Sequence, residues 1–550
     1  MSTARQPHPS QATESAPKGV IQRLRQRLGG TDRSTIVSTT VVAYIFLASV
    51  AWAMITPIGG VPDEPAHITY SAAVVRGDLG TMAVVNHPVY PQLAVVTVPE
   101  WVGEITDPPR SVDDFPYPCY GGGVTITADC APQVSTSTTP TRVPTTVNRY
   151  PPPYYWIVGL PTLLMAGEPA IYAMRIVSAA LAAAVIAMGL AIASPTRRTW
   201  LALGTMIAAT PMVTHLAGSV NPSGLETASA LGLGIGLMGV VGTEKRRPGV
   251  SAALIVALAF LVAWARPNTH LTLIAVIGAS ILINARGLLG YLRRRVAGVA
   301  VGVGAATAIW TALALRTVAT PIAGVVAATP PVESVLNAPI LDLNGNLHEL
   351  ERRFIDWGTD LIGRFGWLDH SPPVVITIAW LLAVAVLVTV ALERAPRREG
   401  AMLLTVMAGA IVLAPLFVIT KTLNAFVYQA RYHLALATLI VIGAVVMLSR
   451  LPRRQDRQLG WSILRRVALL APAATVLTIL GSLHRYSVGG DAHITDGLSL
   501  PFVTRAWMPP WPAVLIATAA GVGALLLGKL LAAHTAPSAD SLTRGAHGLP

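Results

Sequence analysis

The sequence predicts an all-α protein that crosses a membrane about twelve times. Hydrophobic residues make up 53% of the chain and charged residues only 12%, whereas soluble domains carry roughly 25% charged residues. Apolar runs of about 20 residues, the length that crosses a bilayer as a helix, recur along the chain. Clusters of arginine fall between alternate runs, as the positive-inside rule predicts for a polytopic membrane protein.

Each apolar run is interpreted as one membrane-spanning helix. The fifth and sixth runs are short enough to form a re-entrant pair instead, which would leave the orientation of the other helices unchanged. The predicted spans cover residues 35–58, 171–193, 200–217, 223–243, 249–264, 269–285, 296–316, 373–392, 401–420, 432–449, 467–483 and 512–533.

Basic residues determine the predicted orientation. With the amino terminus in the cytoplasm, the inner segments contain the basic clusters and the outer segments contain most of the carboxylates. Both termini are then cytoplasmic, and the predicted location is the plasma (inner) membrane. The formal net charge of +13 would suggest nucleic acid in a soluble protein, but here the charge is sorted by loop, so no nucleic acid is expected.

The chain divides into a basic tail of residues 1–34, a membrane domain of residues 35–533 and a second cytoplasmic tail of residues 534–550. The first tail is polar and is expected to be disordered. The apolar run behind it is a full span without a convincing cleavage site, so it is expected to remain as an anchor. No inner segment can hold a cytoplasmic domain and no P-loop is present, which argues against an enzyme that uses a nucleotide sugar.

Two outer loops are long, residues 59–170 and 317–372. The first holds both cysteines of the chain, Cys119 and Cys130, which are expected to form a disulfide in an oxidising compartment. Two cysteines are too few for a structural zinc site. A stretch rich in threonine and proline, residues 136–144, predicts irregular structure.

The first outer loop ends in an aromatic and apolar segment. The sequence YPPPYYW over residues 150–156 is followed by apolar residues 157–165, which are too few to span a bilayer. Aromatic side chains favour the headgroup zone of a membrane. This segment is therefore predicted to form a helix that lies on the outer membrane surface.

The most informative stretch is GGVPDEPAH, residues 59–67, which directly follows the first span. Asp63, Glu64 and His67 lie at the membrane boundary, where ionisable side chains are costly unless they pair, bind a ligand or do chemistry. A helix cap formed by Asp63 is the structural alternative. In the functional interpretation Asp63 is a general base, or Asp63, Glu64 and His67 hold a divalent cation such as Mg²⁺ or Mn²⁺.

Further polar and aromatic side chains fall at the predicted outer boundary, as a lipid-linked phosphate substrate would require. Arginine and lysine would hold the phosphate, and aromatic rings would cover the sugar and the lipid. Each residue also has a structural explanation, such as snorkelling of an arginine or an N-cap, but their joint placement favours function. The candidates for the donor are Arg175, Arg266, Arg364, Lys421, Arg431, Tyr155 and Trp367, and the further site candidates are His67, Asn221, Asp369, Gln429 and Tyr432.

Five motifs resemble, in order, those of one bacterial family of multi-pass membrane proteins. The family is catalogued as of unknown function and is placed by similarity with the GT-C glycosyltransferases. The resemblance covers most of residues 35–450. The motifs are PDEPAH at 62–67, NP at 221–222, ARP at 265–267, FGWLD at 365–369 and QARY at 429–432.

The resemblance implies a GT-C-like bundle that transfers sugar from a polyprenyl-phosphate donor outside the cytoplasm. By similarity to protein O-mannosyltransferases and lipid A aminoarabinose transferases, the first carboxylate of the outer-loop pair, Asp63, is expected to be catalytic, with Glu64 beside it. The PPPYY sequence at 151–155 and Arg175 also resemble features of those enzymes.

Two positions depart from the family pattern. Ala430 replaces the usual glycine, which is a small change. Ser223 replaces the acidic residue that follows Asn-Pro, which puts a catalytic role at Asn221 in doubt, although Glu226 lies one helical turn on.

The leading prediction is a glycosyltransferase that moves a sugar, with arabinose or mannose the first guesses, from a polyprenyl-phosphate donor to a cell-envelope glycan or glycolipid. The alternatives are a transporter or flippase of a lipid-linked saccharide and a non-catalytic envelope assembly protein. A transporter would need charged residues in mid-span and on both faces. The predicted spans are nearly free of charge, which favours the transferase, and only an activity assay separates a transferase from an assembly protein.

Overall fold

The computed structural model describes residues 33–84, 92–105, 119–130, 134–241, 248–267, 269–293, 342–421 and 428–492. Two predicted spans, 296–316 and 512–533, lie outside the described residues. So do residues 1–32 of the first tail, the tail 534–550 and the first part of the second predicted outer loop, 317–341.

Helices form most of the described chain. Several of them begin at a proline, whose fixed φ suits the first turn of a helix. The α-helices are α1 (Arg33–Ile55), α2 (Glu64–Val74), α3 (Glu100–Glu104), α4 (Pro152–Val158), α5 (Glu168–Ile192), α6 (Pro195–Ala208), α7 (Pro211–Ala217), α8 (Pro222–Gly239), α9 (Pro248–Ala265), α10 (Thr269–Arg293), α11 (Leu343–Asp360), α12 (Val374–Arg394), α13 (Arg397–Ala408), α14 (Ala414–Lys421), α15 (Leu434–Ser449) and α16 (Arg454–Val488).

Six of the described helices are long and apolar enough to cross a membrane, and the bent pair α6–α7 would make a seventh. The six are α1, α5, α10, α12, α16 and the continuous segment Arg397–Phe417, while α9 and α15 are shorter apolar helices. Every predicted span within the described residues coincides with one of these helices or with α8. The prediction of a helical membrane bundle is therefore confirmed, and the total of about twelve spans stays a prediction.

Helix α8 is the centre of the bundle, and all its residues are buried. It packs against α5, α9, α10 and α15. The closest approach is at Gly189 of α5 and Gly232 of α8, where a Cβ on Gly189 would lie 2.2 Å from the Gly232 carbonyl oxygen. Glycine allows this contact because small residues let helix backbones pack directly on one another.

Helices α6 and α7 meet at an angle of 85°. Thr210 lies at this break, and its hydroxyl accepts a hydrogen bond from the backbone of Val213 and donates one to the carbonyl of Leu361. The backbone N–H of Met212 donates to the carbonyl of Ile362 at 2.9 Å. Two hydrogen-bond donors at the break are thus bound by carbonyls of the segment that follows α11.

The first long loop, residues 59–167, contains a three-stranded antiparallel sheet in the order β1 (Thr81–Val84), β2 (Gln92–Pro99) and β3 (Pro140–Thr145). Alternate residues of β2, among them Val96 and Val98, are buried, and Val96 pairs with Val143. The sheet is absent from the all-α prediction, and β3 replaces part of the irregular stretch predicted at 136–144. The period-two alternation in β2 was the signal for it.

The segment that follows β3 differs from the predicted surface helix. It consists of α4 and a 3₁₀ turn, Leu160–Leu163, so residues 157–165 are not one helix. Trp156, Leu160 and Leu164 are exposed, Leu164 by 85%, whereas Tyr154 and Tyr155 on the opposite face are buried. An exposed apolar face remains, and its placement on a membrane stays a prediction.

The second half of the first long loop contains a disulfide. Cys130 is disulfide-bonded, and the sequence has one other cysteine, Cys119. Cys119 begins the 3₁₀ turn Cys119–Gly122, and Cys130 ends the turn Ala128–Cys130.

Candidate functional site

Asp63 lies at the turn that leads from α1 into α2. Its backbone has φ 68° and ψ −3°, the left-handed conformation, and its carboxylate makes no capping hydrogen bond to α2. Among residues other than glycine, aspartate is one of the few that tolerate this conformation. The Asp63 side chain is 55% exposed. Its carboxylate is therefore accessible to a substrate and is not used to cap the helix.

Glu64 points the opposite way, into the bundle, where it pairs with Arg175. Oε1 and Oε2 of Glu64 accept hydrogen bonds from Nε and Nη2 of Arg175 at 2.9 and 2.6 Å. Neither side chain has any exposed surface. The backbone N–H of Val220 also donates to Glu64. The remaining Arg175 donors go to the carbonyls of Ala53, Thr56 and Pro57. All five guanidinium donors are used, so Arg175 has none left for a phosphate.

Arg431 is the residue that faces Asp63. Its Nη2 donates to Oδ2 of Asp63 at 3.0 Å, although 368 residues separate the two in sequence. The Arg431 side chain is only 5% exposed, and its Nε and Nη1 have no hydrogen-bond partner within the described residues. Unpaired buried donors are costly, and an anion admitted beside this guanidinium would satisfy them.

A second arginine, Arg266, lies close to the ring of Tyr432. The guanidinium carbon of Arg266 is 5.4 Å from the centre of the Tyr432 ring, and that of Arg431 is 5.5 Å from it. Nη1 of Arg266 donates to Oε2 of Glu226 at 3.2 Å, and the Thr272 hydroxyl donates to Oε1 of Glu226. Both oxygens of Glu226 are thus engaged, and both arginines lie close to the Tyr432 ring.

His67 lies one turn along α2 from Asp63 and is hydrogen-bonded through Nδ1 to the hydroxyl of Tyr155 at 2.9 Å. Both side chains are buried. Burial lowers the pKa of His67 to about 3; Asp63 opposes this shift, and Arg266 and Arg431 add to it. His67 is therefore neutral at neutral pH and cannot act as a cationic partner of a phosphate.

The charge state of Asp63 is set by its neighbours. The surrounding protein displaces water from the carboxylate, which by itself would raise its pKa, but the pKa lies below its usual value, chiefly because of the charge and the hydrogen bond of Arg431. An opposite charge within hydrogen-bonding distance stabilises the ionised form. Asp63 is therefore a carboxylate at neutral pH.

The three residues considered as metal ligands do not fit one ion together. The Glu64 carboxylate is turned toward Arg175 and away from Asp63. In the described parts of the chain, no group of three or more His, Cys, Asp or Glu side chains is placed to hold a metal ion.

The family model described as "Predicted membrane protein (DUF2142)" matches residues 46–440. The chain belongs to this family. The family resemblance of the five sequence motifs is thereby confirmed. No curated protein matches this DUF2142 protein. A similar solved structure is the crystal structure of ArnT from Cupriavidus metallidurans in the apo state, with 14% identity over 89% of this chain and 76% of that chain and a TM-score of 0.40.

An apolar groove of about 500 Å³ in this DUF2142 protein lies between α6, α11, α12 and α15. His433, two residues after Arg431, lines it together with Trp357 of α11 and residues of α12 from Trp380 to Leu392. That stretch of α12 is about 18 Å long at the rise of an α-helix. The groove is therefore long enough and apolar enough for an extended hydrocarbon chain.

The other predicted residues of the DUF2142 motifs lie around this centre. Asn221 caps α8 through a bond from the Ser223 backbone and donates to the Pro62 carbonyl at 3.2 Å. Gln429 is partly buried, and its Oε1 has no partner within the described residues. Arg364 is exposed and bonds its own turn at Leu368 and Ser371. The side chain of Lys421 lies outside the described residues.

The remaining motif of this DUF2142 protein, FGWLD, makes contacts with distant parts of the same chain. Nε1 of Trp367 donates to the Gly59 carbonyl at 2.9 Å, and Asp369 pairs with Arg485 of α16 at 2.6 Å. The sequence alone does not single out Arg485. Its one signal is a charge placed just after the predicted span 467–483.

Proposed function

We propose that the protein is an integral-membrane glycosyltransferase that moves a sugar from a polyprenyl-phosphate donor to a hydroxyl of a cell-envelope glycan or glycolipid. One observation carries this proposal: the exposed carboxylate of Asp63 pairs with a buried arginine, Arg431, two of whose donors have no partner in the described parts of the chain. A base and an anion-binding group thus lie within one ion pair. Transfer of a sugar from a phosphate needs both.

In the proposed reaction, Arg431 binds the donor phosphate through Nε and Nη1. Asp63 accepts the proton of the acceptor hydroxyl while that oxygen bonds to the anomeric carbon of the sugar. The bond between this carbon and the phosphate oxygen breaks, and its electron pair leaves with polyprenyl phosphate. Arg431 and Arg266 offset the charge that develops on the leaving group.

A single displacement with inversion fits the carboxylates around Asp63. A retaining enzyme needs a second carboxylate as nucleophile. Glu64 is engaged by Arg175, and Glu226 by Arg266 and Thr272. Asp63 is the one exposed carboxylate among these three, so it serves as the base.

Glu64 and Arg175 are assigned a positioning role within the same proposal. The sequence placed Glu64 beside Asp63 as a catalytic candidate and Arg175 at the donor phosphate. Their complete burial and mutual saturation favour a different role, in which the ion pair holds the turn between α1 and α2. A divalent cation is not assigned to any step, because Asp63, Glu64 and His67 do not converge.

The polyprenyl chain of the donor is proposed to lie in the apolar groove between α11, α12 and α15. The groove begins near His433, close in sequence to the phosphate-binding Arg431, and its lining is almost entirely apolar. A hydrocarbon chain in this groove would leave the phosphate at the polar end.

The orientation completes the proposal. The end of the bundle that carries the first long loop and Asp63 faces out of the cytoplasm across the plasma membrane. The exposed side chains of Trp156, Leu160 and Leu164 then lie at the headgroup level of the outer leaflet, where aromatic and apolar residues are favoured.

The test uses membranes from cells that lack the protein, complemented with wild type, Asp63→Asn, Arg431→Gln or Asp356→Asn. Asn keeps the left-handed backbone at position 63, and Asp356 is an exposed carboxylate of α11 that serves as the control. Polyprenyl-phosphate sugars with a radioactive label are supplied, and label is followed into lipid and cell-wall fractions.

Transfer by wild type and Asp356→Asn, with a rate about 10²- to 10⁴-fold lower in Asp63→Asn, is the expected result. Full transfer by Asp63→Asn would refute the base assignment. Accumulation of lipid-linked saccharide on the inner face without donor consumption would replace the proposal with a transporter. Donor neither consumed nor accumulated would leave an assembly protein.

A further inference from the structure

The turn that carries Asp63 is held by side-chain donors from several different elements. Arg175 donates to the carbonyls of Thr56 and Pro57. The next carbonyls are bound in order: Ile58 accepts from the Tyr120 hydroxyl at 2.5 Å, Gly59 from Nε1 of Trp367 at 2.9 Å, and Pro62 from Nδ2 of Asn221 at 3.2 Å.

Two of these anchors, Tyr120 and Trp367, lead back to one residue. Arg485 of α16 donates from Nη2 to the backbone carbonyl of Tyr120 at 2.9 Å. It also donates from Nε and Nη2 to Oδ2 of Asp369, two residues after Trp367, at 3.0 and 2.6 Å. One guanidinium therefore holds both the loop that contains Tyr120 and the turn that contains Trp367.

The turn around Trp367 is fastened further by His370. Nδ1 of His370 is bonded to Oδ1 of Asp369 at 2.8 Å, and its Nε2 is bonded to the hydroxyl of Ser482 at 3.0 Å. This order of groups is that of a serine hydrolase, but Ser482 is only 1% exposed, so no substrate can reach its hydroxyl. The chain of bonds fastens the turn to α16 instead.

The fastening matters because the turn at Asp63 is strained. Asp63 has φ 68°, and Leu368 in the supporting turn has φ 66°. A residue other than glycine in this conformation is strained and persists only where its surroundings hold it. The carbonyls of Ile58 and Gly59, just before Asp63, are the points at which the two anchors act.

We infer that Arg485 is a positioning residue for Asp63, and that it acts through Tyr120 and Trp367. The inference rests on the proposed function for its kinetic part only. It extends the functional unit beyond the region of the family match, which ends at residue 440, to a helix near the end of the described chain. Asp369, His370 and Ser482 belong to the same set of hydrogen bonds that holds the Trp367 turn to α16.

The test is hydrogen exchange of the backbone amides of residues 58–64 in the purified full chain, compared between wild type, Arg485→Gln and Arg394→Gln. Arg394 pairs with Asp456 at 3.0 Å at the other end of α16, so its variant removes a matched arginine–aspartate pair far from the turn. Roughly tenfold faster exchange at 58–64 is expected in Arg485→Gln, the scale of one lost hydrogen bond. No change is expected in Arg394→Gln or in peptides of α8.

Trp367→Phe keeps an aromatic side chain and removes the Nε1 donor to Gly59, so it tests the inference even where Arg485→Gln fails to fold. It is expected to raise exchange at residues 59–64 alone. Wild-type exchange at these residues in folded Arg485→Gln or in Trp367→Phe would overturn the inference.

Activity supplies the second readout. Arg485→Gln is expected to lower kcat about ten- to a hundredfold, because small misplacements of a catalytic group have effects of that size, with the donor KM unchanged because Arg431 is untouched. A raised KM with unchanged kcat would contradict positioning of Asp63. If wild type transfers no sugar, the proposed function fails, while the exchange result still decides the role of Arg485 in holding the turn.

Discussion

Glu64 and Arg175 form a bidentate ion pair with both side chains 0% exposed, between α2 and α5. The pair joins the turn after α1 to the second membrane helix, and every guanidinium donor is used. Loss of one partner leaves the other charge buried without compensation, which costs about 3–5 kcal/mol.

Arg175→Met is therefore expected to lower the free energy of unfolding by about that amount. The measurement is chemical unfolding of the detergent-solubilised protein. The control is Arg352→Gln, which removes an exposed pair with Glu349 and should change stability by about 0–1 kcal/mol. Equal stability of Arg175→Met and wild type would contradict the structural role of the pair.

The ion pair between Asp63 and Arg431 predicts a pH dependence. Because Arg431 helps to lower the pKa of Asp63, the base is ionised at neutral pH, and the acid limb of kcat/KM should lie below the ordinary range of aspartate. The stabilisation from this pair is present above the unfolded pKa of Asp63 and is lost as pH falls through the lower folded pKa.

Arg431→Gln removes the charge that favours ionised Asp63, so the acid limb of kcat/KM should move to higher pH. The position of the limb, measured from pH profiles of transfer, is independent of the expected loss in donor affinity. In the control variant Arg352→Gln, the acid limb of kcat/KM should lie at the same pH as in wild type. An unmoved limb in Arg431→Gln would mean that another group governs the profile.

The apolar groove predicts that its volume sets donor affinity. Val384 of α12 lines it, so Val384→Trp should fill part of the groove and raise the KM for a long-chain polyprenyl donor about tenfold or more, a loss near 1.4 kcal/mol. A donor with a very short chain should be unaffected. Val386→Trp is the control, since Val386 is 47% exposed and does not line the groove. Equal effects of both substitutions on the long-chain donor would contradict the assignment of the groove.

The contact between α5 and α8 predicts sensitivity to one methyl group. A Cβ at Gly189 meets the Gly232 carbonyl oxygen at 2.2 Å, whereas nothing lies within 4 Å of a Cβ at Gly278 of α10. Gly189→Ala should therefore destabilise the protein by about 1–3 kcal/mol. Gly278→Ala should be neutral or stabilising, because alanine favours a helix by about 0.5–1 kcal/mol. Thermal unfolding of both variants checks this, and equal midpoints would count against the direct contact.

Much of the architecture could be predicted because it depends on local composition. The length of each apolar run predicts a helix, since a backbone in hydrocarbon must satisfy its own hydrogen bonds. The predicted spans among the described residues meet helices of the structure. The small sheet was missed because the alternation in β2 is short and lies between stretches typical of loops.

The candidate site was predictable only in part. Asp63 and Arg431 belong to motifs singled out in the sequence, but their pairing across 368 residues could not be read from either motif. Arg485 carries almost no local signal, because its significance lies in the loop and the turn that it joins.

The adjacent carboxylates Asp63 and Glu64 show what the sequence alone does not determine. By itself the sequence determined a membrane bundle and an acidic pair at the start of a helix, because run length and residue type are local properties. Which carboxylate faces the candidate site was decided by the tertiary structure. Neighbouring side chains on a helix point in different directions, and Arg175, 111 residues from Glu64, binds that side chain in the interior and leaves Asp63 at the surface.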